Sequence, residues 1–283
     1  MNVKEILQRT PPRILYHYTT QQGLLGIISN QEIWATHTQY LNDIREFRHA
    51  TELARQELSS MPVEESSREY VSHMQKALLG EVEAINVCVC SFSAQGDVLS
   101  QWRTYGGAAS GFAIGFSGEH LREIVAEWGW LVPVLYEEHE QRLLVRTLLK
   151  DLIEENRNRS PEERLSTPRS GNLRAYLNRY APILKHKSFR EEDEWRIVTR
   201  PLPCVNERFS YRPGPSMLIP YFRFPLGKES LGIQEIVVGP TPHPEQSIRS
   251  VEGILTKNFI KVSSSSEVEG VVVSRSEVPY RNW

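Results

Sequence analysis

Long hydrophobic runs are missing from this chain. No apolar stretch approaches the ~20 residues that cross a bilayer, and the opening Met1-Asn2-Val3-Lys4-Glu5 leads into polar sequence with no signal-peptide apolar segment. A cytoplasmic protein with no membrane among its partners is expected. Cysteine is scarce: Cys88, Cys90 and Cys204 are the three in 283 residues. They suit a reducing compartment, and Cys88 and Cys90 on one strand are badly placed to bond one another, so no disulfide is expected. An excess of either charge is lacking too. The 33 Lys and Arg against 35 Asp and Glu give a net charge of −2, which excludes a general basic field for nucleic acid and leaves only a local groove. Several chemistries lack their sequence marks as well. No glycine-rich phosphate loop follows a strand, and Gly111-Phe112-Ala113-Ile114-Gly115 departs from the dinucleotide fingerprint. There is no nucleophile elbow, no His-Glu-x-x-His helix and no second ligand pair for Cys88-Val89-Cys90, so neither metal nor hydride chemistry is expected.

What is present is enough for a substantial core: 40% of residues are hydrophobic and 24% charged. Residues 14–19 read as a strand, Thr20 as the cap of a short helix carrying Leu24, Ile27 and Ile28, and residues 33–36 as a second strand. Helices follow over residues 43–58, with Asn42 or Asp43 as cap, and 64–84. Apolar runs at 85–92 and 111–116 have the look of buried strands. The stretch 137–187 is helical and suits an inserted subdomain, after which β-rich segments return at 194–199, 216–224, 235–238 and 268–273, with 263–266 a loop. Strands at both ends with helices grouped between them favour an α+β fold over a doubly wound parallel sheet.

Three segments carry chemistry. In Leu15-Tyr16-His17-Tyr18-Thr19, alternation puts His17 and Thr19 on one face and Tyr16 and Tyr18 on the other. Alone, His17 has the plainer reading of a histidine satisfied by a backbone carbonyl. In Ser188-Phe189-Arg190-Glu191-Glu192-Asp193-Glu194-Trp195-Arg196-Ile197-Val198, alternation sends Trp195 and Ile197 to the core and groups Glu192, Glu194 and Arg196 opposite, where a ligand or a simple Glu-Arg surface ladder fits. Between two strands lies a segment from Ser91 to Gly107 with Ser93, Trp102 and Tyr105, whose aromatics and glycines suit a loop against a flat ligand; the rival reading has Trp102 and Tyr105 plugging the core.

In order, Leu15-Tyr16-His17-Tyr18-Thr19, Trp34-Ala35-Thr36, Leu41-Asn42-Asp43 with Glu46, Ser91-Phe92-Ser93, Trp102 and Tyr105, Gly111 to Phe116, Glu192 to Val198, Glu235 to Gly239 and Val278-Pro279-Tyr280-Arg281 resemble the domain-of-unknown-function 2971 family across most of the chain. That family looks like a branch of the ADP-ribosyltransferase superfamily, and the His-Tyr-Thr start is similar to that of toxin-type transferases that modify nucleic acids. The resemblance implies one domain over residues 1–283, a split β-sheet with helices around it and a helical insertion at about 137–187. It implies NAD as co-substrate, no metal, and transfer of ADP-ribose to nucleic acid or protein, as in the toxin of a toxin–antitoxin or phage-defence system with an antitoxin partner. Glu194 and His17 take the catalytic roles and Glu192 the acceptor-selecting one. His17, Tyr18, Thr19, Thr36, Asn42, Ser93, Trp102 and Tyr105 are the NAD-binding candidates, with Thr36, Ser93 and Tyr105 all open for the middle motif position. Arg45, Arg48 or Arg103 is expected at the pyrophosphate. Glycohydrolysis of NAD and a non-catalytic binding module of the same fold are the alternatives. On this reading a Glu194→Gln exchange lowers turnover with little change in folding.

Overall fold

The aromatic and β-branched residues after Arg13 form β1 (Ile14–Thr20), and Thr20 caps α1 (Gln21–Asn30) by accepting from Gly23 N at 3.2 Å. Gln31, left-handed at φ 55°, ends the helix and turns the chain into β2 (Glu32–His37). The computed structural model describes residues 5–6, 8–41, 44–78, 86–106, 111–160, 171–227, 230–265 and 269–280. Asn42 and Asp43, the expected cap of the next helix, lie outside these.

The helices α2 (Ile44–Ser60) and α3 (Arg68–Ala77) lead to β3 (Cys88–Ser93). The expected loop after β3 contains a helix instead, α4 (Leu99–Tyr105), which starts with Trp102 N donating to Val98 O at 3.1 Å. Then come β4 (Gly111–Ser117), α5 (Gly118–Val125), β5 (Gly129–Pro133), α6 (Glu138–Asn158) and α7 (Gly171–Tyr180). The chain continues through β6 (Glu194–Thr199), β7 (Phe209–Pro213), β8 (Leu218–Pro225), β9 (Ile233–Val238), α8 (Pro244–Lys257), β10 (Val262–Ser263) and β11 (Val271–Arg275). The sequence reading missed α5, β5, β7, α8 and the short β10, whose Ser263 it had placed in a loop. Of these α8 carried an ordinary start signal, Pro244 in its first turn followed by Glu245.

The eleven strands among the described residues join in one mixed sheet of an α+β fold, which forks at β3. One edge of β3 pairs with β6 from Val89↔Val198 to Ser93↔Glu194, and β6 pairs with β5. The other edge is shared: β2 holds its start at Thr36↔Val89 and His37↔Cys88, while β1 touches only its end, at Tyr16↔Ser93. From β2 one arm runs to β8 and β7, and from β1 the other runs to β4, β9, β11 and β10. The two arms share one core, in which Leu15, Ile114 and Phe116 meet Phe92, Ile197, Phe222 and Phe224 with α1, α5 and α8 packed in. Burying such side chains contributes roughly 1.5–3 kcal/mol each.

A second core lies on the opposite face of β3, β6 and β5, where Val89, Val198 and Val132 receive α2, α3, α6 and α7. The helical stretch expected at about 137–187 is thus part of one layer with α2 and α3. A third, small core on the outer face of β1 and β4 holds Tyr18, Trp102 and Ala113, and Val278 packs on it. Asp97 fastens that last segment: it accepts from Trp102 Nε1 at 2.6 Å, from Glu277 N at 2.7 Å and from the Ser276 hydroxyl. Among the described residues no helix is long and apolar enough to cross a membrane.

Candidate functional site

A cleft of about 60 Å³ opens at the fork, lined by Tyr16, His17, Tyr18, Ser91, Phe92, Ser93, Gln101, Tyr105, Glu192 and Glu194. Strand parity alone would not bring His17 and Glu194 together. Tyr16 pairs with Ser93 and Ser93 with Glu194, so Glu194 shares a face with Tyr16, while His17 points with Leu15 toward Phe92, ring centroids 5.7 Å apart. They meet because β1 leaves β3 after one paired position, and the imidazole fills the gap between the two backbones. His17 Nδ1 lies 3.0 Å from Ser91 O, a carbonyl on the edge where the ladder has opened. Because a carbonyl only accepts, Nδ1 carries the hydrogen and Nε2 keeps its lone pair. Burial lowers the His17 pKa, against a smaller raising effect of that bond, so the ring is neutral at pH 7.

Glu194 is positioned by the chain just before it. Residues Lys187–Glu192 form a 3-10 turn, and Asp193 adopts a left-handed conformation, φ 41°, that swings the chain into β6. The expected strand alternation therefore fails at Glu192, which belongs to the turn, although its carboxylate still borders the cleft. The Glu194 side chain is 6% exposed and is the centre of an ion network. Arg196 grips it with Nε to Oε1 at 2.6 Å and Nη2 to Oε2 at 3.0 Å, and Lys185 Nζ reaches Oε2 at 2.9 Å. Lys185 also pairs with Glu192. Burial alone would raise the Glu194 pKa, but Arg196 and Lys185 more than reverse this and hold it at about 2. Glu192 goes the other way, since its burial outweighs the help of Lys185. Lys185 is lifted by the two carboxylates despite its own burial. The site thus presents a carboxylate ionised at any physiological pH.

Gln101, 7% exposed, lines the cleft. Tyr105, 44% exposed, stands at the same cleft four residues on, on the same face of α4. Two tyrosine hydroxyls are already engaged. Tyr16 donates to Glu235 Oε2 at 2.8 Å, and Tyr18 donates to Gln95 O at 2.8 Å while accepting from Val98 N at 3.0 Å.

Other sequence candidates fall elsewhere. Trp102, 3% exposed, is a core residue edge-on to Tyr18 at 4.7 Å and does not line the cleft. A tryptophan at that depth is held by packing, which decides for the core-plug reading. Thr19 turns its hydroxyl against Gly23 of α1, and Thr36 accepts from Arg212 Nη2 at 3.2 Å on the far arm; neither borders the cleft. Ser93 does, with its Oγ accepting from Gln95 N at 3.0 Å. Asn42 and the side chain of Arg45 lie outside the described residues, and Arg103 leans over the Tyr280 ring at 5.1 Å. Sequence reasoning passed over Gln101 and Lys185. The first had no signal beyond its place one residue before Trp102. The second was hidden in a basic run that reads as solvated surface.

Glu194 also borders a larger chamber of about 490 Å³, whose wall includes Arg9, Gln95, Tyr136, Glu140 and Trp195. Tyr136 ties the two spaces together by accepting from Glu194 N at 3.1 Å. That volume is within the usual range of ligand sites, whereas the cleft at the fork admits only a few waters.

The sequence pattern of a family described as Protein of unknown function (DUF2971) matches residues 101–197. This stretch runs from Gln101 through Glu194 and Arg196 and excludes β1 with His17, so it is narrower than the resemblance read from the sequence. No curated protein and no solved structure matches the chain.

Proposed function

We propose that this chain is an NAD-dependent ADP-ribosyltransferase acting at the fork of the sheet. The observation that carries the reading is the meeting in one cleft of a neutral imidazole, a permanently ionised carboxylate and a buried amide, drawn from β1, β6 and α4. The ADP-ribosyltransferase fold is likewise a sheet that splits beside its first strand. NAD supplies a ribose carbon whose bond to nicotinamide breaks; the new bond forms to an acceptor nucleophile, which gives up a proton. Positive charge builds on the ribose as the bond breaks, and a fixed anion at Glu194 stabilises that charge more than the ground state. The Nε2 lone pair of His17 accepts a ribose hydroxyl, which orients the sugar without any proton transfer. Gln101 supplies an amide for the carboxamide of nicotinamide, and the exposed ring of Tyr105 stacks on its face.

The donor set fits a dinucleotide better than the cleft volume does. About 60 Å³ is too small for it, so entry requires Tyr105, the exposed side chain at the cleft, to turn aside. A second reading has its own support. Both oxygens of Glu194 are taken by Arg196 and Lys185, which favours a non-catalytic binding module with a structural ion network.

Purified protein incubated with NAD decides between them. The transferase reading expects nicotinamide release that Glu194→Gln lowers well over tenfold, in a variant shown by circular dichroism to be folded. Label from adenine-labelled NAD should appear on a macromolecule; release that persists in full without one identifies a glycohydrolase. No release with any acceptor leaves the binding module.

A further inference from the structure

The arm of the sheet formed by β2, β8 and β7 has a face that the helices leave open. Glu32, Trp34 and Thr36 of β2, Arg223 and Tyr221 of β8, and Ser210 and Arg212 of β7 share this face, because Trp34 pairs with Arg223, Thr36 with Tyr221, and Tyr221 with Ser210. It is the same side of the sheet as Glu194: Thr36 pairs with Val89, Ser93 with Glu194, and Val89 and Ser93 are four residues apart on β3. The core formed by α2, α3, α6 and α7 contains no residue of β2, β7 or β8.

Trp34 lies against Tyr221 with ring centroids 4.3 Å apart and planes at 30°, yet it stays 39% exposed. Arginines flank the pair. Arg212 donates to Thr36 Oγ1, and Arg223 donates to Glu207 O at 2.8 Å and stands 3.8 Å from Glu32. On this face Arg212 and Arg223 stand against Glu32, in a chain whose net charge is −2. An exposed indole backed by the buried Tyr221 ring and bordered by two guanidinium groups matches unpaired bases, which stack, strung on phosphates, which pair with arginine. An acidic protein would use the arginines and leave the indole unexplained.

We infer that this sheet face binds single-stranded nucleic acid, with a base stacked on Trp34 and backbone phosphates held by Arg212 and Arg223. The inference is independent of the chemistry at the fork. Where both hold, the strand lies on the side of the sheet that carries Glu194.

Fluorescence anisotropy of labelled single strands of about 15 nucleotides, RNA and DNA in separate arms, tests this on the full chain without NAD. Failure of the transferase reading would then leave the result untouched. Saturable binding that weakens with salt is expected for at least one strand, and the better one names the sugar preferred. Trp34→Ala should weaken it roughly five- to hundredfold while Trp34→Phe retains most of it. Arg212→Ala should flatten the salt dependence by about one phosphate contact. If Trp34→Ala melts early, the partly exposed Arg212 variant carries the test. No binding to either strand, equal binding to duplex or to polyglutamate, or unchanged binding in folded Trp34→Ala and Arg212→Ala overturns the inference.

Discussion

Glu194 is held so tightly that its chemistry and its contribution to folding cannot be separated. Its carboxylate is buried between Arg196 and Lys185, and an exchange to Gln leaves Arg196 enclosed without its anion and Lys185 with Glu192 alone. Breaking a buried pair in this way costs about 3–5 kcal/mol. The buried network replaces the expectation of little change in folding with another: urea denaturation of Glu194→Gln should show a loss of that order, and a change below about 1 kcal/mol would mean the network is not closed in solution. Gln101 offers the opposite balance. It lines the cleft outside the ion network, so Gln101→Leu, similar in volume, should leave the urea midpoint nearly unchanged. The same exchange should weaken NAD binding, measured by calorimetry, by about tenfold, the value of one good hydrogen bond. A destabilised Gln101→Leu with unaltered affinity would show that the amide serves the fold.

Elements meet at the fork through backbone contacts that only small residues permit. Gly111, where β4 begins, is such a place: a Cβ there would lie 2.3 Å from Gly106 Cα and 2.8 Å from Thr19 O. Both obstacles are main chain, one at the end of α4 and one at the end of β1, so neither can rotate away. Gly111→Ala should destabilise by about 1–3 kcal/mol, the cost of overpacking a filled site. It should also shift the near-ultraviolet signal of the Tyr18–Trp102 pair. A variant as stable as the parent would show that α4 sits further from β1. Side-chain periodicity beside a capping residue made the start of α1 legible at Thr20, though the same signal at Ser117 before α5 was passed over. They were not legible in residues 93–110, where serines, glycines and polar residues read as a loop although Trp102 anchors a helix there.

Across the whole molecule, two histidines are kept neutral by the fold. His17 donates from Nδ1 to a carbonyl, and His37 accepts at Nδ1 from Gln39 N at 3.2 Å; burial lowers the pKa of both. As pH falls through about 6.5, the unfolded chain takes up protons that these two rings in the fold do not. Their stabilising effect is present above that pH and lost below it, by up to about 1.4 kcal/mol per pH unit for each ring. Urea midpoints taken from pH 7.5 to 5.5 should fall, and the double exchange His17→Asn, His37→Asn should flatten the slope. An equally steep decline in the double variant would assign the effect to other groups.

The sequence by itself determined which segments are strands and helices in most places, the α+β class, and the apolar side of β6, because these follow from local alternation and capping that each segment carries within itself. It also singled out His17 and Glu194, but on residue type and resemblance alone. Tertiary structure decided that they border one cleft. Their parity along the strands is opposite, and only the departure of β1 from β3 after a single paired residue lets an imidazole stand in the gap beside the carboxylate. It decided equally that Lys185 and Arg196 saturate Glu194, that Trp102 belongs to a core, and that Trp34 and the arginines of β7 and β8 share one open face. Those are relations between segments far apart in the chain, and no local pattern encodes the distance between them.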